Sequence, residues 1–402
     1  MLMLFNTMSL SILWMLKILS SSSKLESSLC WFWDNISNSF IMLTISISSM
    51  IMLLNKLYHK QIFILVFSLL FFFSTKNFMV FFISFEFSII PILIIILMNG
   101  HQPERLEASM SMMIYTFTAS IPLLLSFLSA SKFFNSLNMM DIYISFWEVG
   151  LLMMLAFFIK LPLWGFHLWL TKAHVESPVG GSMILAAIML KIGLYGLMRI
   201  MFMMNPIQKS NYEFFVSLSL MGMIFSSMAC FTSFDFKTLI AYSSILHMSP
   251  ILLNLMNFNH LGTLSVLITG LSHAYSSSLL FFLSNLFYLS SKTRCLMSQK
   301  GNMICNSTLC AAMILSIVVN LSTPPFMTFF SEFGLFMNMF IYNSTLIVFI
   351  LIVSILSSIY NFYFLTSMVF GKESFMKTMT FKAKHMTITL LHLVPLVFLI
   401  FL

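Results

Sequence analysis

Four ionisable side chains stand inside runs that are otherwise apolar. Glu86 lies in FISFEFSIIP, Lys160 in LAFFIKLPLW, Lys191 in AAIMLKIGLYG and Glu332 in MTFFSEFGLF. A charge at the centre of a membrane helix costs about 2.5–3.5 kcal/mol on insertion scales, so four left unpaired would cost on the order of 10 kcal/mol. Such groups persist when they pair with one another or line a wet path. Lys17 and Arg199 sit near run ends and can extend to an interface, whereas a carboxylate as short as Glu86 cannot. His247 in SILHMSP and His273 in GLSHAYSSS add two groups that exchange protons near neutral pH. An ammonium held out of water trades its proton when a neighbouring charge moves. A Glu–Lys pair with a further lysine behind it therefore has the chemistry of a proton relay. The bland alternative makes all of these helix glue, paired across helices with no connected path.

Other polar residues carry less. His167 and His174, seven residues apart, share a face if one helix runs through both. Asp235 and Lys237 fall at a run boundary, where an interfacial anchor is the ordinary reading. The five cysteines form no C-x-x-C pair and no His-flanked cluster, so neither a disulfide framework nor a metal site is expected. No G-x-G-x-x-G or G-x-x-x-x-G-K-[ST] occurs, and no nucleotide site is expected.

The elements that must hold these residues follow from composition. Of 402 residues, 59% are hydrophobic and 8% charged, too few charges to cover a soluble surface. The net charge of +8 reflects basic loops on one side of a membrane, not a nucleic-acid surface. Apolar runs of membrane-spanning length fall at roughly 1–19, 36–56, 61–75, 78–98, 109–131, 148–171, 180–203, 212–232, 238–256, 261–289, 308–340, 344–370 and 386–402. They are too long for barrel strands and lack period-two alternation, so the expected fold is all-α and polytopic, with about thirteen spans. The first run has no positive leader and no Ala-x-Ala-like site, and reads as a span.

Alternating the loops places twelve Lys and Arg residues on one side and six on the other. That bias puts the N-terminus in the inner compartment and the C-terminus outside. Two spans carry breakers, Pro162 and Gly165 after Lys160, and Pro324 and Pro325 before Glu332. Residues 61–203 and 212–370 would each hold five spans with the broken one fourth, the arrangement of an inverted repeat. Residues 1–60 would form N-terminal helices, and 371–402 a loop and a last helix.

The segment AFFIKLPLWGFHLWLTKAHVESPVGGSMILAAIMLKIGLYGLMR, residues 156–199, resembles the signature of the antiporter-like subunits of NADH:ubiquinone oxidoreductase, respiratory complex I. These are similar to subunits of multi-component sodium/proton antiporters. NGHQPERLEAS, DFKTLIAYSSILHM and TPPFMTFFSEFGLF resemble one branch of that family, whose siblings carry lysine where this chain has Glu332. The resemblance implies two inverted five-helix repeats and a proton relay through Glu86, Lys160, Lys191, His247, His273 and Glu332. His167 and Lys237 are lesser candidates. It also implies a multi-pass chain of the mitochondrial inner membrane, with neighbouring antiporter-like subunits and lipids such as cardiolipin as partners. No cofactor would bind this chain, because NADH, FMN, Fe–S clusters and ubiquinone would belong to other subunits. Thr171 and Ala274 depart from the family's usual proline and glycine, and the chain looks short by one N-terminal helix. Three rivals remain open: a stand-alone or multi-component cation/proton antiporter, a structural scaffold, and a sibling subunit.

Overall fold

Backbone groups in lipid must be satisfied within their own segment, and the chain answers with helices. The computed structural model describes residues 34–398 apart from 55, 101, 135, 137, 140–146, 205–208, 257–258, 301–305 and 371–380. The expected first span at 1–19, with Lys17, Lys24, Cys30, Cys305, Lys372 and Lys377, lies outside these residues. So do the side chains of Lys56 and Lys209.

In chain order the helices are α1 (Asn35–Leu54), α2 (His59–Ser74), α3 (Phe78–Phe87), α4 (Ile89–Asn99), α5 (Arg105–Phe134), α6 (Trp147–Lys160), α7 (Leu168–Glu176) and α8 (Val179–Ile184). A π-helical turn, Leu185–Met189, leads into α9 (Leu190–Met203). There follow α10 (Lys209–Thr232), α11 (Phe236–Met256), α12 (His260–Ser291), α13 (Ser307–Asn320), α14 (Met327–Tyr342), α15 (Leu346–Val369) and α16 (Ala383–Phe398). Eight stretches among the described residues are long and apolar enough to cross a membrane, and four shorter apolar helices accompany them. Serine is tolerated in these helices because its hydroxyl folds back onto the preceding turn. Ser84 Oγ donates to Phe81 O at 2.9 Å and Ser278 Oγ to Ala274 O at 2.7 Å.

The chain divides into two units. Of the described residues, one unit takes those within 34–161 and 176–204, and the other those within 162–175 and 209–398. In the first, α9 is buried apart from Phe202 and packs on α6. The approach is close because Gly193 and Gly196 face α6. A Cβ on Gly193 would lie 2.9 Å from Leu161 N and 3.1 Å from Lys160 Cβ, and one on Gly196 would overlap the Phe157 ring. In the second unit α12 is central and packs on α11, α13, α14 and α16.

Both broken spans unwind, and in the same way. α6 ends at Lys160 and α13 at Asn320, each followed by six or seven non-helical residues. Pro162 supplies no N–H, Gly165 takes φ +99°, and Phe166 N–H donates to Leu163 O at 2.9 Å. In the second break Ser322 takes φ +53°. Thr323 and Thr328 hydroxyls cover the freed carbonyls of Val318 and Val319 at 3.2 and 2.8 Å. A third interruption was hidden in the expected span 78–98: Ser88 separates α3 from α4, because Pro91 has no N–H to offer the carbonyl of Phe87.

Candidate functional site

The first unit places Glu86 and Lys160 near each other, but their charges do not touch. Glu86 is the penultimate residue of α3, one turn before Pro91, and Lys160 is the last residue of α6. Lys160 is 2% exposed. Its Nζ sits 3.4 Å from the centroid of the Phe85 ring and donates to Phe85 O at 3.4 Å. An ammonium held by a ring face and a carbonyl is solvated without a counter-ion. The Glu86 carboxylate is close enough for the two charges to interact, and the Ser120 hydroxyl is its other polar neighbour. The two charges interact without the direct contact of a salt bridge.

Lys191 is fully buried one helix away. Its Nζ donates to Ala186 O at 3.0 Å. Ala186 lies in the π-helical turn, where a widened ladder turns a carbonyl toward a side chain. The sequence shows the lysine but not this turn, which no breaker residue announces.

Arg199 differs from expectation. It is 7% exposed and paired: its Nη1 binds Asp34 Oδ2 at 2.7 Å, and its guanidinium lies 4.9 Å from the Tyr195 ring centroid. The Tyr195 hydroxyl donates to Phe73 O at 2.7 Å. The pair ties the start of α1 to the end of α9. Removing one partner of a buried pair leaves the other charge uncompensated, so Asp34→Ala is expected to cost about 3 kcal/mol. A lowered thermal midpoint of the detergent-solubilised protein checks this, with Asp34→Glu near the native value.

The second unit brings His247, His273 and Glu332 together. His247 Nδ1 is 3.2 Å from Glu332 Oε1, and the two histidine rings are 5.9 Å apart, centroid to centroid. With Nδ1 engaged by the carboxylate, His247 Nε2 is the atom left to take a proton, and it has no partner. All three residues line one cavity of about 50 Å³. Hydroxyls of Thr269, Ser272, Ser276, Thr328 and Ser331 share its wall, as does Asn320. A space of this size edged by hydroxyls admits a few waters, which can bridge the gap that the rings leave. Asn320, at the position that Lys160 holds in the first break, donates from Nδ2 to Asn361 Oδ1 at 3.2 Å. Asparagine at a break was not singled out from the sequence, where it resembles any turn residue.

The remaining candidates stand apart from this cavity. The helix does not run through both His167 and His174, because α7 begins at Leu168. His167 stacks on Trp164 at 4.2 Å and accepts from Gly165 N–H at 3.3 Å, while His174 stacks on Phe281 at 4.5 Å. Lys237 Nζ donates to Val175 O at 3.5 Å, and Arg294 Nη1 donates to the same oxygen at 3.2 Å. Two cations at the C-terminal end of α7 complement its dipole and its orphan carbonyls. Asp235 is bridged to Cys295. Among the described residues no three His, Cys, Asp or Glu side chains converge on a metal-sized site.

These observations can be set beside known proteins. The family described as NADH:quinone oxidoreductase/Mrp antiporter, transmembrane, matches residues 75–359. NADH-ubiquinone oxidoreductase chain 4 of Lumbricus terrestris is 35% identical over 368 residues, 88% of this chain and 81% of that one. The chain belongs to the NADH-ubiquinone oxidoreductase chain 4 family. The chain 4 of Locusta migratoria is 39% identical over 294 residues, 72% of this chain and 66% of its own length. Among solved structures, respiratory complex I from Thermus thermophilus with bound NADH contains a chain similar in fold, with a TM-score of 0.85 at 20% identity. That match covers 97% of this chain and 88% of the other. The Mrp complex of Dietzia sp. DQ12-45-1b contains another, with a TM-score of 0.81 at 15% identity, covering 94% and 76%. Glu86, Lys160, Lys191, His247, His273 and Glu332 all lie within the stretch that the family matches.

Proposed function

We propose that this chain is a proton-translocating membrane-arm subunit of respiratory NADH:ubiquinone oxidoreductase in the mitochondrial inner membrane. The observation that carries the reading is the presence, inside the family-matched stretch, of two groups of titratable residues, with Lys160, Lys191 and His273 buried and Glu86, His247 and Glu332 partly so. In the first unit, closing and reopening the Glu86–Lys160 pair changes how firmly Lys160 holds its proton. Lys191, on the helix packed against it, is the next carrier. In the second unit, His247 takes a proton at Nε2 as Glu332 stabilises the imidazolium, and His273 and cavity water extend the path. Redox energy reaches these groups electrostatically from elsewhere in the complex. NADH, FMN, Fe–S clusters and ubiquinone belong to other subunits, and this chain carries no redox group.

The wider architecture in this reading is thirteen spans, with two inverted five-helix repeats, the N-terminus in the matrix and the C-terminus in the intermembrane space. The loop-charge bias and the two matching breaks support it. Neighbouring antiporter-like subunits and lipids such as cardiolipin cover the apolar helix faces.

The likeness to the Mrp complex favours a second reading, a cation/proton antiporter working without NADH oxidation. Affinity capture of the tagged chain from solubilised membranes separates the two. The first reading expects an NADH-oxidising assembly in the eluate, and loss of NADH-driven proton movement when the chain is depleted. Capture of the chain in an assembly without NADH oxidation, with proton movement driven by a sodium gradient, would establish the second.

A further inference from the structure

The three helices that supply His247, His273 and Glu332 are joined a second time, away from the cavity, by asparagines. Asn338 of α14 donates from Nδ2 to Asn254 Oδ1 of α11 at 2.9 Å, and accepts from Asn259 Nδ2, at the N-cap of α12, at 3.2 Å. Asn254 in turn donates to Pro250 O at 3.0 Å, within one turn of His247. Asn254 and Asn338 are fully buried. Room for the cluster comes from Gly262 on α12, where a Cβ would overlap Asn338 Nδ2 and lie 2.7 Å from Asn254 O. One turn back along α14, a Cβ on Gly334 would lie 3.0 Å from Ser265 Cβ. Glu332 sits six residues before Asn338, and His247 seven before Asn254. Hydrogen-bonded amides in an apolar setting fix the register of neighbouring helices, because any slip leaves them unsatisfied.

We propose that Asn338 is a positioning residue that sets the separation of Glu332 from His247 and so couples proton transfer in the second unit. The proposal rests on the reading that this pair carries protons. Small errors in the placement of a transferring group slow transfer far more than they disturb packing. The ionisable groups near Glu332 are His247, His273 and, on α15, Tyr360, and Asn338 adds no charge of its own.

The test measures protons moved per NADH oxidised, and the pH profile of that ratio, in membranes holding the whole complex. Asn338→Leu keeps the shape and removes the amide, and Gly262→Ala displaces the amide without altering it. Both are expected to lower the ratio at least about twofold and shift its pH profile, while chain abundance is retained. An unchanged ratio and profile in either assembled variant would overturn the proposal. If neither accumulates, Asn259→Ala, which removes one bond at an exposed helix start, must show a smaller loss with the same profile shift, and a native profile there overturns it. His247→Ala separates the two levels. Native pumping in that variant refutes the proton-carrying reading itself, whereas lost pumping beside a native Asn338→Leu refutes only the positioning.

Discussion

Glu332→Gln is expected to reduce NADH-driven proton movement about tenfold in a complex that assembles normally. The amide has the size of the carboxylate and can still accept from His247 Nδ1, so packing around the cavity survives. What it cannot do is take a proton or stabilise an imidazolium 3.2 Å away. His247→Ala is expected to give a loss of similar size, because the two act as one unit. Their combination should then be no worse than the poorer single variant, the non-additivity typical of groups serving one step. Proton uptake by inverted membrane vesicles, referred to NADH consumed, reads both. Additive losses would mean separate roles.

Gly196→Val is expected to have a large effect on stability. Even one carbon on this residue would overlap the Phe157 ring, and the three of valine cannot be accommodated unless α9 moves away from α6. Overpacking of this kind costs about 3 kcal/mol. The expected result is a chain nearly absent from membranes, by immunoblot of the assembled complex. Phe157→Leu in the same chain should restore part of the amount, because it vacates the ring's space. Recovery of native abundance in Gly196→Val alone would show that α9 and α6 are not held in close contact.

The parts of the fold that depend on local chemistry could be read from the residues in order. Pro162 with Gly165, and Pro324 with Pro325, announce breaks because a missing N–H and a positive φ are properties of the residues themselves. Glu86, Lys160, Lys191 and Glu332 stand out because each lies inside its run among apolar neighbours. Features that depend on contacts between distant segments could not be read. Asp34 looks like a polar residue before a helix until Arg199 is placed beside it. The π-helical turn before Lys191 comes from packing and leaves no breaker in LAAIM. Asn254, Asn259 and Asn338 are scattered, and only the folded second unit makes them one cluster. The break at Ser88 was a different kind of miss: Pro91 was in plain sight, but the apolar run around it was long enough to conceal it. Lys237 sits at a run boundary in the sequence, and only the fold shows its contact with Val175 O.

Whether the charges inside this chain carry protons turns first on Lys160, which is buried beside Glu86. The measurement is protons moved per NADH oxidised in membranes carrying Lys160→Ala, with Glu86→Ala alongside, after the complex is shown to be assembled. The account predicts that both abolish or sharply reduce pumping. Unchanged pumping with unchanged NADH oxidation would show that these charges only hold helices together, and the proposed sites would fall although the family assignment would stand.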